Sequence, residues 1–288
     1  MNEVNRTLYI PLYGKALVSK RGILLHDPKA EQIWAAEGFP LKGKSRSKWL
    51  AYYMGMRAAV YDRWVEEKMA QNPNAVVLHI GCGMDSRAVR VDRKGRTWYD
   101  IDFADVIEER KRYFREEDGY RMVAGDVREK SWLERIEGEE TIVVMEGVSM
   151  YLAPEDRDKL MERLCGRFQR VFLLVDFYTH FAAKMSKVRN PINDVGVTLV
   201  YGLDDPLEAE TSELKFVKRH DMTPADMIGS FPVWKSRFSG NCMPVRSQKK
   251  CTGFTNTKEG KRCTAMYFAK FTTPLAGTTT RRSSGSSF

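Results

Sequence analysis

Ala75-Val-Val-Leu-His-Ile-Gly-Cys-Gly-Met-Asp85 passes from an apolar run into two closely spaced glycines and an acid. Ala75 to Ile80 is a short apolar run bounded by Gly81, which reads as a strand buried on both faces. Gly81 and Gly83 let the backbone turn sharply and come close to a ligand at the carboxyl end of that strand. Asp102 follows Gly81 by 21 residues, at the end of a second predicted strand, Thr97–Ile101. An acid there can accept hydrogen bonds from ribose hydroxyls. Asp100, two residues earlier on the same strand face, is placed to share that task. Strand, Gly-x-Gly turn and acid at this interval point to a nucleoside cofactor; a tight turn with a surface acid is the plain structural alternative.

Working outward, the downstream chain alternates. A helix is predicted over Phe103–Glu116, strands over Tyr120–Val123 and Thr141–Met145, and a helix over Pro154–Gln169 with its proline in the first turn. Val171–Phe177 and Leu214–His220 read as further strands. This is an α/β pattern, Rossmann-like: a mostly parallel sheet with helices on both faces. Upstream, Trp49, Leu50, Tyr53, Met56, Val60, Trp64 and Met69 recur at helical spacing, so Ser45–Ala70 reads as one long helix closed by Asn72-Pro73-Asn74. Residues 1–43 show no clean period. The expected division is an N-terminal helical cap over 1–72, a core over 73–230 and an atypical basic tail over 231–288.

The chain has 288 residues, enough for one α/β domain with a large core, and 43% hydrophobic with 30% charged residues argues against wholesale disorder. It contains no apolar run of bilayer-spanning length and no apolar stretch with a cleavage site near Met1, so a cytoplasmic protein with no membrane partner is expected. Five cysteines, an odd number with no CxxC pair, predict reduced thiols and neither a disulfide framework nor a metal site. The net charge of +9 lies in the tail, where residues 231–288 carry eleven Lys and Arg against one acidic residue, Glu259. The other 230 residues hold 36 basic and 37 acidic side chains. A nearly neutral body predicts no nucleic-acid partner.

A dinucleotide enzyme usually has a third glycine or alanine where this chain has Ser86, which counts only slightly against that cofactor. Three motifs say more: Val77-Leu-His-Ile-Gly-Cys-Gly-Met-Asp-Ser-Arg87, Trp98-Tyr-Asp-Ile-Asp-Phe103 and Glu146-Gly-Val-Ser-Met-Tyr-Leu152. Together they resemble the leucine carboxyl methyltransferase family, which includes bacterial polyketide O-methyltransferases of the tetracenomycin type, over about residues 8–225. The resemblance implies a class I methyltransferase fold and S-adenosyl-L-methionine as cofactor. It also implies methyl transfer to a carboxylate or hydroxyl oxygen of an unidentified acceptor, either a small molecule or a peptide C-terminal carboxylate.

Carried over residue by residue, the resemblance implies that Lys15 and Arg57, from the N-terminal cap, bind the cofactor carboxylate. Gly81 would pass under the amino-acid part, with Gly83 completing the turn, and Asp102 would hold the ribose. Asp126 and the backbone of Val127 would meet the adenine edge. Glu146 would lie near the cofactor amino group and the methyl-transfer site. For Lys15 and Arg57 the plain alternative is solvated surface charge, and for Glu146 a strand-end acid capping a turn.

Tyr9, Tyr13, Trp49, Tyr52 and Tyr53 read mainly as packing, and Tyr151, close after Glu146, is the best candidate for an acceptor pocket. His79 reads as a core residue and His180 as a loop residue. A carboxylate acceptor, with a pKa of about 4, needs no general base, whereas a phenol, at about 10, profits from one. The sequence shows no histidine tied to a carboxylate, which favours a carboxyl or already ionised acceptor. Two readings from other classes stand beside the transferase: a non-catalytic nucleoside-cofactor-binding protein and an NAD-dependent oxidoreductase.

The resemblance also implies a final antiparallel hairpin whose last strand inserts beside the fifth, and the tail departs from the family. Thr278–Phe288 is low in complexity, although Ala265–Phe271 can form a strand. With permitted codons, Phe238–Gly260 read in another frame encodes FRKLYAGQIAKKMYRLYEYEG, which resembles the family's ending. The expectation is a frameshift near residues 230–238, with a basic arm for a partner as the alternative; resequencing the locus decides between them.

Overall fold

The structure, a computed structural model, describes residues 7–41, 43–189, 200–231 and 264–271. Seven strands form one sheet: β1 (Val76–Ile80), β2 (Trp98–Asp102), β3 (Tyr120–Ala124), β4 (Glu140–Met145), β5 (Arg170–Tyr178), β6 (Leu214–His220) and β7 (Thr264–Phe271). Their order is β3-β2-β1-β4-β5-β7-β6, and every pairing is parallel. Eight α-helices are described: α1 (Tyr9–Lys20), α2 (Pro28–Glu37), α3 (Lys48–Gln71), α4 (Arg87–Arg90), α5 (Ala104–Arg110), α6 (Pro154–Arg167), α7 (His180–Arg189) and α8 (Ala225–Ile228). None of the described helices is long and apolar enough to cross a membrane.

The central strands are apolar because both faces are covered. Alternation along β1 and β4 sends their side chains to two cores. Val77, Ile142 and Val144 pack into the core that α1 and α3 share. Leu78, Ile80, Val143 and Met145 join the core formed with Leu160, Met161 and Leu164 of α6. The strand order turns back between β1 and β4, and ligands of doubly wound sheets bind at the carboxyl ends of the strands flanking such a point.

The predicted strands stand within one residue of their expected ends, β6 coincides with its prediction, and the long helix starts at Lys48, three residues after its expected start at Ser45. Residues 1–43, read as aperiodic, contain α1 and α2. Eight of the twelve residues of α1 are buried, so no polar face marks its period. α2 carries ordinary end signals: Asp27 accepts from Ala30 N–H at 2.9 Å, Pro28 opens the helix and Gly38 closes it at φ +57°. α5 stops at Arg110, short of the predicted Glu116, because Arg110 is withdrawn into a buried cluster with Asp100 and packs over the Phe114 ring. The resemblance implied an antiparallel last strand beside the fifth. β7 lies beside β5, between it and β6, but runs parallel to both. A parallel neighbour needs a crossover of a dozen or more residues, and the stretch from His220 to Thr264 is long enough for one. Phe238–Gly260, the stretch of the alternative reading frame, lies outside the described residues.

α1 crosses α3 at very close range. A Cβ on Gly14 would lie 2.5 Å from Met54 Cβ and 2.9 Å from the Ala51 carbonyl oxygen. Gly14→Val is therefore expected to overpack this crossing by about 1–3 kcal/mol. At roughly 2–4 °C per kcal/mol for a chain of this size, a thermal melt should fall by about 5 °C. An unchanged midpoint would contradict the crossing.

Candidate functional site

The carboxyl ends of β1, β2, β4 and β5 face α1 and α3 across a cavity of about 390 Å³. Nine of the site residues expected from the sequence line it; Asp100 does not. Lys15 comes from α1, Arg57 from α3, Gly81 and Gly83 from the turn after β1, and Asp102 from the end of β2. Asp126 and Val127 follow β3, Glu146 follows β4, and Tyr151 ends the single turn after it.

The turn after β1 needs its glycines. Gly81 has φ +67° and Gly83 φ +49°, a region costly for other residues. A Cβ on Gly81 would also lie 2.2 Å from Val148 Cγ2. Asp102 secures the turn: its Oδ2 accepts from Gly83 N–H and its Oδ1 from Phe103 N–H, each at 2.8 Å. Burial pushes the Asp102 carboxyl up, against the pull of those two amides. A carboxylate has about four acceptor positions, so two amides leave capacity for ligand hydroxyls.

Asp100 does not share that position. It is fully buried, and its carboxylate meets Trp98 Nε1 at 2.9 Å, His79 Nδ1 at 3.1 Å, Tyr120 Oη at 2.6 Å and the Arg110 guanidinium. Burial would raise its pKa, but Arg110 and the His79 hydrogen bond hold it at about 2. These donors fill its acceptor positions, so the expectation that Asp100 shares a ribose is corrected: it clamps β2 from inside. His79 is equally committed. Arg87 Nη1 donates to its Nε2 at 3.2 Å, which leaves Nδ1–H to donate to Asp100.

Lys15 and Arg57 are not surface charges; they are 3% and 5% exposed. Lys15 Nζ lies 2.9 Å from Asp85 Oδ2. Arg57 pairs with Glu146 at 3.0 Å and Asp176 at 3.2 Å. Arg87 joins Glu146 from the other side, reaches Asp62 at 2.7 Å, and shares Asp62 with Arg90, which also holds Asp27 at 2.5 Å. Four cations and five carboxylates thus interleave beneath the cavity. Burial pushes Glu146 up, but Arg87, Arg57 and Lys15 outweigh it and keep the carboxyl below the ordinary range. Asp85 is held low in the same way by Arg87, Lys15 and Arg90. Asp176 goes the other way: burial raises it in spite of Arg57 and the Gly147 N–H at 2.7 Å.

Sequence reasoning did not single out Asp62, Asp85, Arg87, Arg90 or Asp176. Asp85 and Arg87 stand inside the quoted motif, and Asp176 was readable as the one charge within the apolar run Val171–Phe177. At the other end of the cavity, Asp126 is engaged by Arg128, whose Nη2 lies at 2.5 Å and which lowers the carboxyl. Burial raises the Tyr151 and Tyr53 hydroxyls well beyond their usual value, so neither is poised to ionise.

Besides the buried His79, a second and exposed histidine is tied to a carboxylate. His180 Nδ1 lies 3.1 Å from Asp204 Oδ2, and His180 N–H donates to Asp204 Oδ1 at 3.1 Å. The preference for an already ionised acceptor, which rested on finding no such pair, loses that support. No sequence motif joins two residues 24 apart in the chain.

A parallel sheet reversing at β1 and β4, a strained glycine turn tied to the acid of the next strand, and buried charges at one end of the cavity define a Rossmann-like nucleoside-cofactor protein. The chain belongs to the leucine carboxyl methyltransferase family, whose model matches residues 3–165. It is 30% identical over 233 residues to the tetracenomycin polyketide synthesis O-methyltransferase TcmP of Streptomyces glaucescens, covering 79% of this chain and 86% of that one. It is 28% identical over 235 residues to the S-adenosyl-L-methionine-dependent methyltransferase dpfgK of Gibberella zeae, covering 73% of this chain and 79% of that one. The chain is an S-adenosylmethionine-dependent O-methyltransferase.

The residues present fit that cofactor. Gly81 leaves bare backbone in the cavity wall, Asp102 keeps acceptor capacity, and the interleaved cations and carboxylates offer both signs of charge to a zwitterionic head.

Proposed function

We propose that this cavity holds S-adenosylmethionine with its amino-acid head over the buried charge network, and that a small-molecule oxygen acceptor enters beside Tyr151. Lys15 and Arg57 supply cations for the head's carboxylate, and Glu146 a carboxylate for its ammonium. Asp102 receives the ribose hydroxyls, and Asp126 with the Val127 backbone meets the adenine. Residues 1–72 act as a cap over the core of residues 73–230, and the protein works in the cytoplasm. The observation that carries this reading is that nine residues chosen from sequence line one cavity.

Bound S-adenosylmethionine supplies a methyl group on a sulfonium, open to in-line displacement by an oxygen. What the chain contributes is placement and exclusion of water. Leu50, Met54, Met150 and Tyr178 give the cavity an apolar flank. The Arg57–Glu146 and Arg57–Asp176 pairs fix α3 against the ends of β4 and β5, so cap and core close on one another.

Transfer of labelled methyl to a metabolite extract tests this, with Asp102→Ala as the blank. Mild alkali releases the label as methanol from a carboxyl ester and leaves an aryl ether intact, so the product reports the acceptor oxygen. Asp102→Ala removes both the ribose acceptor and the tie to Gly83, and should weaken S-adenosylhomocysteine binding by about 100-fold. That equals two hydrogen bonds to a charged group at roughly 1.5 kcal/mol each. Asp102→Asn should lose less. Unchanged affinity in the alanine variant would count against the assignment.

A further inference from the structure

Charge is unevenly shared around the cavity. Three cations line it, Lys15, Arg57 and Arg128, against four carboxylates, Asp85, Asp102, Asp126 and Glu146. Each of those cations already faces an acid. Lys15 meets Asp85 at 2.9 Å, Arg128 meets Asp126 at 2.5 Å, and Arg57 meets both Glu146 and Asp176. The layer behind repeats the imbalance, with Arg87 and Arg90 set against Asp27, Asp62 and Asp176. His79 is neutral in the tautomer that its two bonds fix, and Arg110 cancels Asp100. Among the described residues, carboxylates therefore outnumber cations both in the cavity wall and beneath it. Glu146 feels the shortage directly. Arg57 divides its guanidinium between Glu146 and Asp176, and Arg87 divides its own among Glu146, Asp62 and Asp85, so neither neutralises Glu146 outright. Burial raises the Asp176 carboxyl even beside Arg57, as expected of an acid short of counter-charge. S-adenosylmethionine brings what is missing. Its amino-acid head is a zwitterion that sums to zero, and its sulfonium adds one positive charge. S-adenosylhomocysteine has the same head, ribose and adenine, but a neutral thioether.

We propose that the carboxylate excess is the counter-charge for the sulfonium, so that the site holds S-adenosylmethionine in preference to S-adenosylhomocysteine, with Asp85 and Asp176 setting that preference. The proposal rests on the cavity being the cofactor site, with the amino-acid head over the buried network. Asp85 acts from the cavity wall. Asp176 acts through Arg57, by drawing on the guanidinium that Glu146 shares. In methyl transfer, an electron pair of the acceptor oxygen forms the new bond to carbon, and the carbon–sulfur pair stays on sulfur. A proton still on that oxygen passes to solvent. The sulfur is then neutral, and a buried carboxylate has lost its partner. Buried charge is costly when unpaired, so the product complex is weakened relative to the substrate complex. The chain thereby discriminates against its own product.

The test uses three ligands on the full-length chain: S-adenosylmethionine, S-adenosylhomocysteine and sinefungin, in which a protonated amine stands in place of the methyl sulfonium. Dissociation constants are measured by calorimetry for the unaltered chain, Asp176→Asn and Asp85→Asn, with circular dichroism to check that each variant folds. The unaltered chain should bind both cationic ligands about 10-fold more tightly than S-adenosylhomocysteine, the scale of one unit charge acting over roughly 10 Å in a buried site. Each variant should lose most of that preference by weakening the two cationic ligands. A merely structural role for either carboxylate would weaken all three ligands alike, because they share the head, ribose and adenine. Equal affinity of the unaltered chain for the three ligands, or a preference that a folded variant keeps, overturns the proposal. Failure of the unaltered chain to bind any of the three overturns the reading of the cavity, and the proposal with it.

Discussion

Arg87→Met should lower the stability of the chain by about 3–5 kcal/mol at neutral pH, because it leaves buried carboxylates without their shared cation. Arg87 is fully buried and meets Glu146, Asp62, Asp85 and His79 at once. At roughly 2–4 °C per kcal/mol, the thermal midpoint should fall by about 10 °C or more. Glu146 and Asp85 both have pKa values in the folded chain depressed below the ordinary carboxylate range. Groups of that kind stabilise the fold above the pKa of the unfolded chain and lose the contribution as pH falls through the folded value. The difference between the original chain and Arg87→Met should therefore be largest near neutrality and shrink below about pH 4. Melts at pH 7 and under acid check this, and a difference that does not narrow would mean that the network contributes through packing alone.

Gly81→Ala should disable the site and destabilise the fold together. An alanine at φ +67° costs about 1–2 kcal/mol in backbone strain, and its Cβ would sit 2.2 Å from Val148 Cγ2, so the turn after β4 must shift as well. We expect a total of about 2–4 kcal/mol with overpacking included, and a loss of about 100-fold in transfer rate from displacing the cavity wall. Adding Val148→Ala should return the part due to the clash and leave the part due to φ, so the two changes are non-additive. Additive effects would mean that the apposition of Gly81 and Val148 is not the cause.

The sheet was legible in the sequence because each central strand is a short apolar run bounded by glycine, proline or acid, as in Ala75–Ile80 and Thr141–Met145. Of the candidate site, Gly81, Gly83 and Asp102 were legible because they follow β1 and end β2, where sequence spacing fixes position along the sheet; Lys15, Arg57, Asp126, Val127 and Glu146 were reached only through the family resemblance. Other features hid for physical reasons. α1 is buried on most sides and so lacks an amphipathic signature. Asp100 and Asp102 look alike in sequence, yet one faces Arg110 in the interior and the other Gly83 at the cavity, a difference of depth that alternation cannot show. The counter-ions of Lys15 and Arg57 come from distant segments, and so does the partner of His180; such pairings depend on how loops pack.

In the proposed reading, Gly81, Gly83 and Asp102 build the wall of a pocket for S-adenosylmethionine. Calorimetric titration of the purified chain with S-adenosylhomocysteine and, separately, with NAD tests it most directly. One-to-one binding of S-adenosylhomocysteine, sharply weakened in Asp102→Ala, and no binding of NAD are expected. Binding of NAD alone, or S-adenosylhomocysteine affinity indifferent to Asp102, would contradict it.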